Sequence, residues 1–104
     1  MTLEVAILQI KTGKTKEFEQ AFNIAQNIIK AARGYIGHNL QKSSDYSDRY
    51  ILIVKWQTLD DHINEFRKSP EYQDWKKLLH HYYEPFPEVD HFQKIDSSST
   101  ELIL

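Results

Sequence analysis

The chain has no cysteine among its 104 residues, which excludes disulfides, thiolate metal sites, iron–sulfur clusters and a cysteine nucleophile together, and fits a reducing cytoplasm. Glycine is scarce, with three residues, and none belongs to a phosphate-cradling loop or a dinucleotide fingerprint. No apolar run approaches the roughly 20 residues that a membrane span needs. Basic residues are not in excess: 13 Lys and Arg stand against 15 Asp and Glu, for a net charge of -2 with His neutral. They are scattered among acids rather than gathered on a stripe, so a nucleic-acid partner is not expected. The opening MTLEVAILQIKTGK has no basic region before its apolar run and no small-residue cleavage site. No signal peptide is read, and a cytoplasmic location is expected.

What the chain has in abundance lies between Trp56 and Phe92. This stretch holds both tryptophans, all three prolines, four of the five histidines and six of the eleven Phe and Tyr residues. A ligand site is expected there. The histidines lack the i, i+4 spacing of helical metal ligands and no compact His and carboxylate motif accompanies them, so no metal is expected.

Periodicity gives the element order. Leu3 to Ile10 is apolar on both parities, the pattern of a central strand covered on both faces. From Thr15 the period changes: Phe18, Phe22, Ala25, Ile29 and Ala32 recur at helical spacing, and Gly34 is a stop signal. Tyr35 to Lys42 alternates, with Ile36, His38 and Leu40 on one face and Gly37, Asn39 and Gln41 on the other. After the polar loop 43–48, Tyr50 to Trp56 reads as a strong strand. Thr58 can cap a helix with Asp60 and Asp61 in its first turn and Leu59, Ile63 and Phe66 on its buried face. Ser69-Pro70-Glu71 breaks and restarts it, because Ser is a good N-cap and Pro suits the first helical position. Tyr72, Trp75, Leu79 and Tyr82 continue the buried face until Pro85 and Pro87 end it. Val89 to Ile95 is the last strand.

Strand, helix, strand, strand, broken helix, strand is the order of an α+β, ferredoxin-like split βαβ (βαββαβ) domain, here 1–96, with a four-stranded antiparallel sheet, the first and third strands central and the helices on one face. The bare sheet face predicts a homodimer. The tail 97–104 ends in apolar Leu102-Ile103-Leu104 and is expected to dock on the partner subunit.

Gly34-Tyr35-Ile36-Gly37-His38-Asn39-Leu40, the strand end Val54-Lys55-Trp56, Phe66-Arg67-Lys68-Ser69-Pro70-Glu71-Tyr72 and Val89-Asp90-His91-Phe92 together resemble the antibiotic biosynthesis monooxygenase-like family of dimeric α+β barrels. The resemblance implies a barrel of two subunits with a pocket between helices and sheet in each. Its haem-degrading branch pairs an Asn, a Trp and a His where this chain has Ala6, Phe66 and Lys76, so haem degradation is not implied. Its cofactor-free branch removes a proton from an electron-rich phenol so that the anion can reduce dioxygen. That chemistry needs a base near neutral pH, oxyanion donors and a dry aromatic pocket.

The candidate bases are His38, His62, His80 and His81. His38 shares a face with Ile36 and Leu40, where a hydrogen-bonded core histidine is the competing reading. His62 precedes Ile63 and stands either at the pocket border or at the helix boundary. His80 and His81 lie about 100° apart on a helix, so one faces inward and the other does not. Asn39, Phe66, Tyr72, Trp75, Tyr83 and His91 are the candidate substrate contacts; core packing is the plainer reading for Trp75 and a dimer seam for His91. Two functions follow as expectations: a cofactor-independent monooxygenase acting on a small aromatic molecule with molecular oxygen, or a non-catalytic dimer that binds a small ligand or serves as a stress accessory. Two histidines lining one apolar cavity would favour the first.

Overall fold

Four antiparallel strands, β1 (Thr2–Gln9), β2 (Tyr35–Lys42), β3 (Arg49–Trp56) and β4 (Val89–Phe92), form one sheet in the order β2-β3-β1-β4. The computed structural model describes residues 1–95; the tail expected to dock on a partner lies outside the described residues. The two most apolar strands occupy the centre, as the expected ferredoxin-like order requires. The last strand is shorter than its sequence reading, ending at Phe92 rather than Ile95.

Helix α1 (Thr15–Lys30) turns Phe18, Ala21, Phe22, Ala25 and Ile29 onto the sheet. There they join Ala6, Leu8, Leu52, Val54 and Trp56 from the strands and Trp75 and Leu79 from α2 (Pro70–Leu79) in a single core. Both helices cross the same face. The expectation that β1 is covered on both faces therefore does not hold in the single chain: Leu8 is 1% exposed and its neighbour Ile7 50%. Among the described residues no layer lies beyond the second face, where Ile7, Ile36 and Phe92 are exposed.

Two local irregularities change which residues face inward. In β2, Tyr35 pairs with Trp56 but Gly37 already pairs with Lys55, so Ile36 is an extra residue and the parity slips by one. Tyr35, His38 and Leu40 consequently share the helix-covered face while Ile36 turns outward, correcting the grouping of Ile36 with His38. After β3, Thr58 Oγ1 accepts from the Asp61 amide at 3.1 Å and donates to Asp61 Oδ2 at 3.0 Å. The chain then winds as a π-helical segment, Asp61–Phe66, with the Arg67 amide donating to the His62 carbonyl at 3.0 Å. Its wider turn places Asp61, His62 and Phe66 inward. Leu59 is exposed and Ile63 only partly buried, contrary to the apolar face expected from straight helical spacing.

Ser69 restarts the helix: its Oγ accepts from the Tyr72 amide at 3.2 Å and donates to the Phe66 carbonyl at 2.6 Å, and Pro70 follows at the first helical position. Ser69→Ala removes both bonds at once and is expected to cost about 1–2 kcal/mol. Thermal unfolding checks this, with Ser69→Asp, which keeps a cap acceptor, losing less. A short 3-10 turn, His80–Tyr82, closes the second helical region, and Tyr83 is fixed to the sheet by its bridge to Ile10.

Candidate functional site

Glu4 has the inward parity of β1, with Ala6 and Leu8 following it on the same face, and it lies opposite Val54 of β3 and His91 of β4. A carboxyl has thus been placed under the helices, only 7% exposed. Its Oε1 accepts a hydrogen bond from Trp56 Nε1 at 2.9 Å. The π-helical segment brings His62 onto the Trp56 ring, stacked at 5.3 Å between centroids with 19° between planes. In that position His62 Nε2 is 3.3 Å from Glu4 Oε1, and Nδ1 is 2.8 Å from His91 Nε2. The four residues come from β1, the end of β3, the π-helical segment and β4.

Beside this cluster lies a cavity of about 340 Å³. Ala6, Leu8 and Leu52 form its sheet side, while Phe66, Tyr72 and Trp75 wall the helical side. The walls hold each other edge to face: Phe66 meets Tyr72 at 5.4 Å and 87° and Trp75 at 6.0 Å and 80°. Glu4, His62, Arg67, His80 and Tyr83 add polar atoms to the lining. His80 is packed among Phe86, Tyr83 and Tyr72, with centroids at 5.0, 5.6 and 5.9 Å, and its buried Nδ1 has no hydrogen-bond partner among the described residues.

Burial sets the charge states. It pushes the Glu4 carboxyl up to about 7, against the opposing pull of the Trp56 hydrogen bond and the Arg67 charge. The same cause pushes His62 down to about 3, helped by Arg67 and His91. His91 is lowered by burial and Arg67, with Asp90 opposing; His80 is lowered by burial and Lys76. Tyr72 and Tyr83 are raised, chiefly by burial. The 3.3 Å contact between Glu4 and His62 would be an ion pair only with His62 charged. Desolvation drives both groups to their neutral forms, so between about pH 3 and 7 the pair is a neutral carboxyl against a neutral imidazole.

Of the residues singled out in the sequence, His62, His80, Phe66, Tyr72, Trp75 and Tyr83 line this cavity, and His91 stands behind it on His62. Two of the five histidines thus share one aromatic cavity. Three candidates stand elsewhere. His38 is tied between Tyr35 Oη at 2.6 Å and Gln26 Oε1 at 3.1 Å, the hydrogen-bonded core alternative. His81 is exposed and rests on Tyr82 at 4.1 Å. Asn39 lies on the uncovered sheet face opposite Ile53 and accepts from Gln41 Nε2 at 3.3 Å. Sequence reasoning missed Glu4 and Arg67. The available signal was parity: on β1, Glu4 is the one charged residue in step with Ala6, Leu8 and Ile10.

An antiparallel split βαβ sheet with a cavity under one helical layer defines a ferredoxin-like α+β protein with a small-molecule-sized site. More narrowly, the chain belongs to the antibiotic biosynthesis monooxygenase family, whose sequence profile matches residues 1–78. It is 50% identical over 95 residues to the uncharacterised protein YczJ of Bacillus subtilis (strain 168), covering 91% of this chain and 100% of that protein. A Bordetella bronchiseptica protein assigned to antibiotic biosynthesis monooxygenases superposes with a TM-score of 0.86 at 34% identity, covering 90% and 96% of the two chains. SnoaB, a cofactor-independent oxygenase from Streptomyces nogalater, shares the fold with a TM-score of 0.82 at 18% identity, covering 95% and 97%.

Proposed function

We propose that this protein is a cofactor-independent monooxygenase that oxidises a small phenol or quinol with molecular oxygen, acting as a cytoplasmic homodimer. The observation that carries the reading is a buried carboxyl, pushed up to about 7, in the lining of an aromatic cavity. A group poised near the working pH suits proton abstraction from a phenol, whose anion then gives an electron to dioxygen. The resulting radical pair joins as a C–O bond. Glu4 gives the abstracted proton to the peroxide anion, and loss of water, which takes the remaining hydrogen on that carbon, leaves a carbonyl and restores the carboxylate. Glu4 supplies the base, the unpartnered His80 Nδ1 pairs with a substrate oxygen, and Phe66, Tyr72 and Trp75 hold the ring and exclude water. The cavity, about 340 Å³, is at the small end for ligand pockets, in keeping with a substrate of few rings. The dimer is supported by the exposed Ile7, Ile36 and Phe92 on the uncovered sheet face.

An oxygen electrode tests the reading against a panel of hydroquinones and anthrones. Uptake is expected with at least one of them, falling on the order of 100-fold or more in Glu4→Gln. Thermal stabilisation by these compounds with no oxygen uptake would identify a non-catalytic ligand-binding dimer instead.

A further inference from the structure

We propose that His62 and His91 form a two-histidine proton path that joins the Glu4 carboxyl in the cavity to water at the outer edge of β4. The path rests on the cavity reading above only for its use, which is to leave Glu4 ionised before it meets a substrate proton.

The geometry has a direction. Among the described residues Glu4 Oε1 has two polar side-chain contacts, Trp56 Nε1 at 2.9 Å and His62 Nε2 at 3.3 Å. The indole N–H only donates, so it can neither accept nor relay a proton. Imidazole does both, with one nitrogen on each side of the ring. His62 presents Nε2 to Glu4 and Nδ1, at 2.8 Å, to His91 Nε2, and its stacking on Trp56 at 5.3 Å fixes the ring in that orientation. His91 is on the edge strand β4 and half-buried, next to exposed Asp90 and Phe92. It is the member of the line that reaches solvent, since His62 is 3% exposed.

The charged and titratable surroundings keep the line conductive. Arg67, between the π-helical segment and α2, acts on Glu4, His62 and His91. Tyr72 from α2 and Tyr83 after the 3-10 turn couple to Glu4, while Asp90 on β4 acts on His91 alone. Arg67 and burial both hold the imidazoles neutral, so each keeps one lone pair to receive a proton.

Each transfer balances. With Glu4 protonated, its O–H donates to His62 Nε2, His62 Nδ1–H donates to His91 Nε2, and His91 carries its remaining proton on Nδ1. Release breaks the Glu4 O–H as N–H forms at His62 Nε2, breaks His62 Nδ1–H as N–H forms at His91 Nε2, and passes the His91 Nδ1 proton to water. Nothing is oxidised or reduced. The end state has carboxylate accepting from His62 Nε2–H, and His91 Nε2–H donating to His62 Nδ1. One proton has left the protein and both imidazoles have changed tautomer.

That joint change is the test. In the uniformly 15N-labelled protein, with no ligand added, the imidazole nitrogens of His62 and His91 are followed by NMR from about pH 5 to 8. The expected result is that the protonated and lone-pair nitrogens exchange places in both rings over one shared pH interval, and that Glu4→Gln abolishes the exchange. A wild-type protein in which either ring keeps one tautomer while Glu4 ionises, followed by its infrared carbonyl band, overturns the path. A histidine that merely fills a hydrogen-bonding position has no reason to switch with its neighbour. Fixed tautomers overturn the path whatever oxygen uptake shows, and a joint switch supports it even where no quinol is consumed.

Discussion

Replacing Gly34 by alanine is expected to destabilise the fold by about 4 kcal/mol, enough to remove much of the stability of an ordinary domain. Gly34 ends the α1 region with φ +79, a left-handed conformation that costs an L side chain about 1–2 kcal/mol. Its carbonyl accepts from the Gln57 amide at 2.8 Å, pinning the turn to the end of β3. A Cβ at this position would overlap Cγ and Oδ2 of Asp61 and stand 2.6 Å from its Cβ. Asp61 cannot swing aside freely, because it is 9% exposed and hydrogen-bonded in both directions to Thr58. Relief must therefore disturb the cap of the π-helical segment that positions His62. The other glycines separate the two costs. Gly13→Ala meets the same left-handed backbone, φ +80, with nothing within 4 Å, whereas Gly37→Ala meets open space without a left-handed φ. Chemical denaturation of the three variants should rank Gly34→Ala far below Gly13→Ala, with Gly37→Ala near wild type; equal losses at positions 34 and 13 would remove the steric argument.

The fold was readable because its evidence is periodic and local. The switch from strand to helical spacing at Thr15, the Ser69-Pro70 restart and the Pro85 and Pro87 exit each act within a few residues, and the observed elements follow them closely. The site was legible only in outline. Tyr72 and Trp75 fall at helical spacing, so that part of the aromatic wall could be named from sequence, whereas the same spacing led on to Tyr82 where Tyr83 lines the cavity. Residues 4, 56, 62 and 91 meet through register between strands far apart in the chain, and no period in the sequence encodes that meeting. Two one-residue effects also moved side chains between faces. The bulge at Ile36 changed the partners of β2, and the π-helical turn exchanged Leu59 and Ile63 for Asp61 and His62. Helical spacing alone does not decide between His80 and His81; the 3-10 turn does, placing His80 among Tyr83 and Phe86 and leaving His81 exposed.

Glu4→Gln and His62→Gln are expected to tilt the pH dependence of stability in opposite directions. Burial raises Glu4 from 4.5 to about 7, so between these values the folded protein holds more protons than the unfolded chain. The contribution of Glu4 is present in full below pH 4.5 and is lost as pH rises through about 7. For His62 the folded value falls from 6.5 to about 3, and there the unfolded chain binds more protons. Its contribution is full above pH 6.5 and is lost as pH falls through about 3. Over the shared window the two slopes oppose each other, and their sum in the wild type is shallow. Removing the carboxyl charge should raise stability relative to wild type progressively from pH 4.5 to 7, by up to about 3 kcal/mol. Removing the imidazole should do the reverse, the variant gaining on wild type as pH falls from 6.5 towards 3. Urea unfolding of the three proteins across this range measures both differences, in which the other carboxylates cancel. Were Glu4 and His62 instead a charged pair, both variants would lose most at the pH where wild type is most stable, and the opposite tilts would not appear.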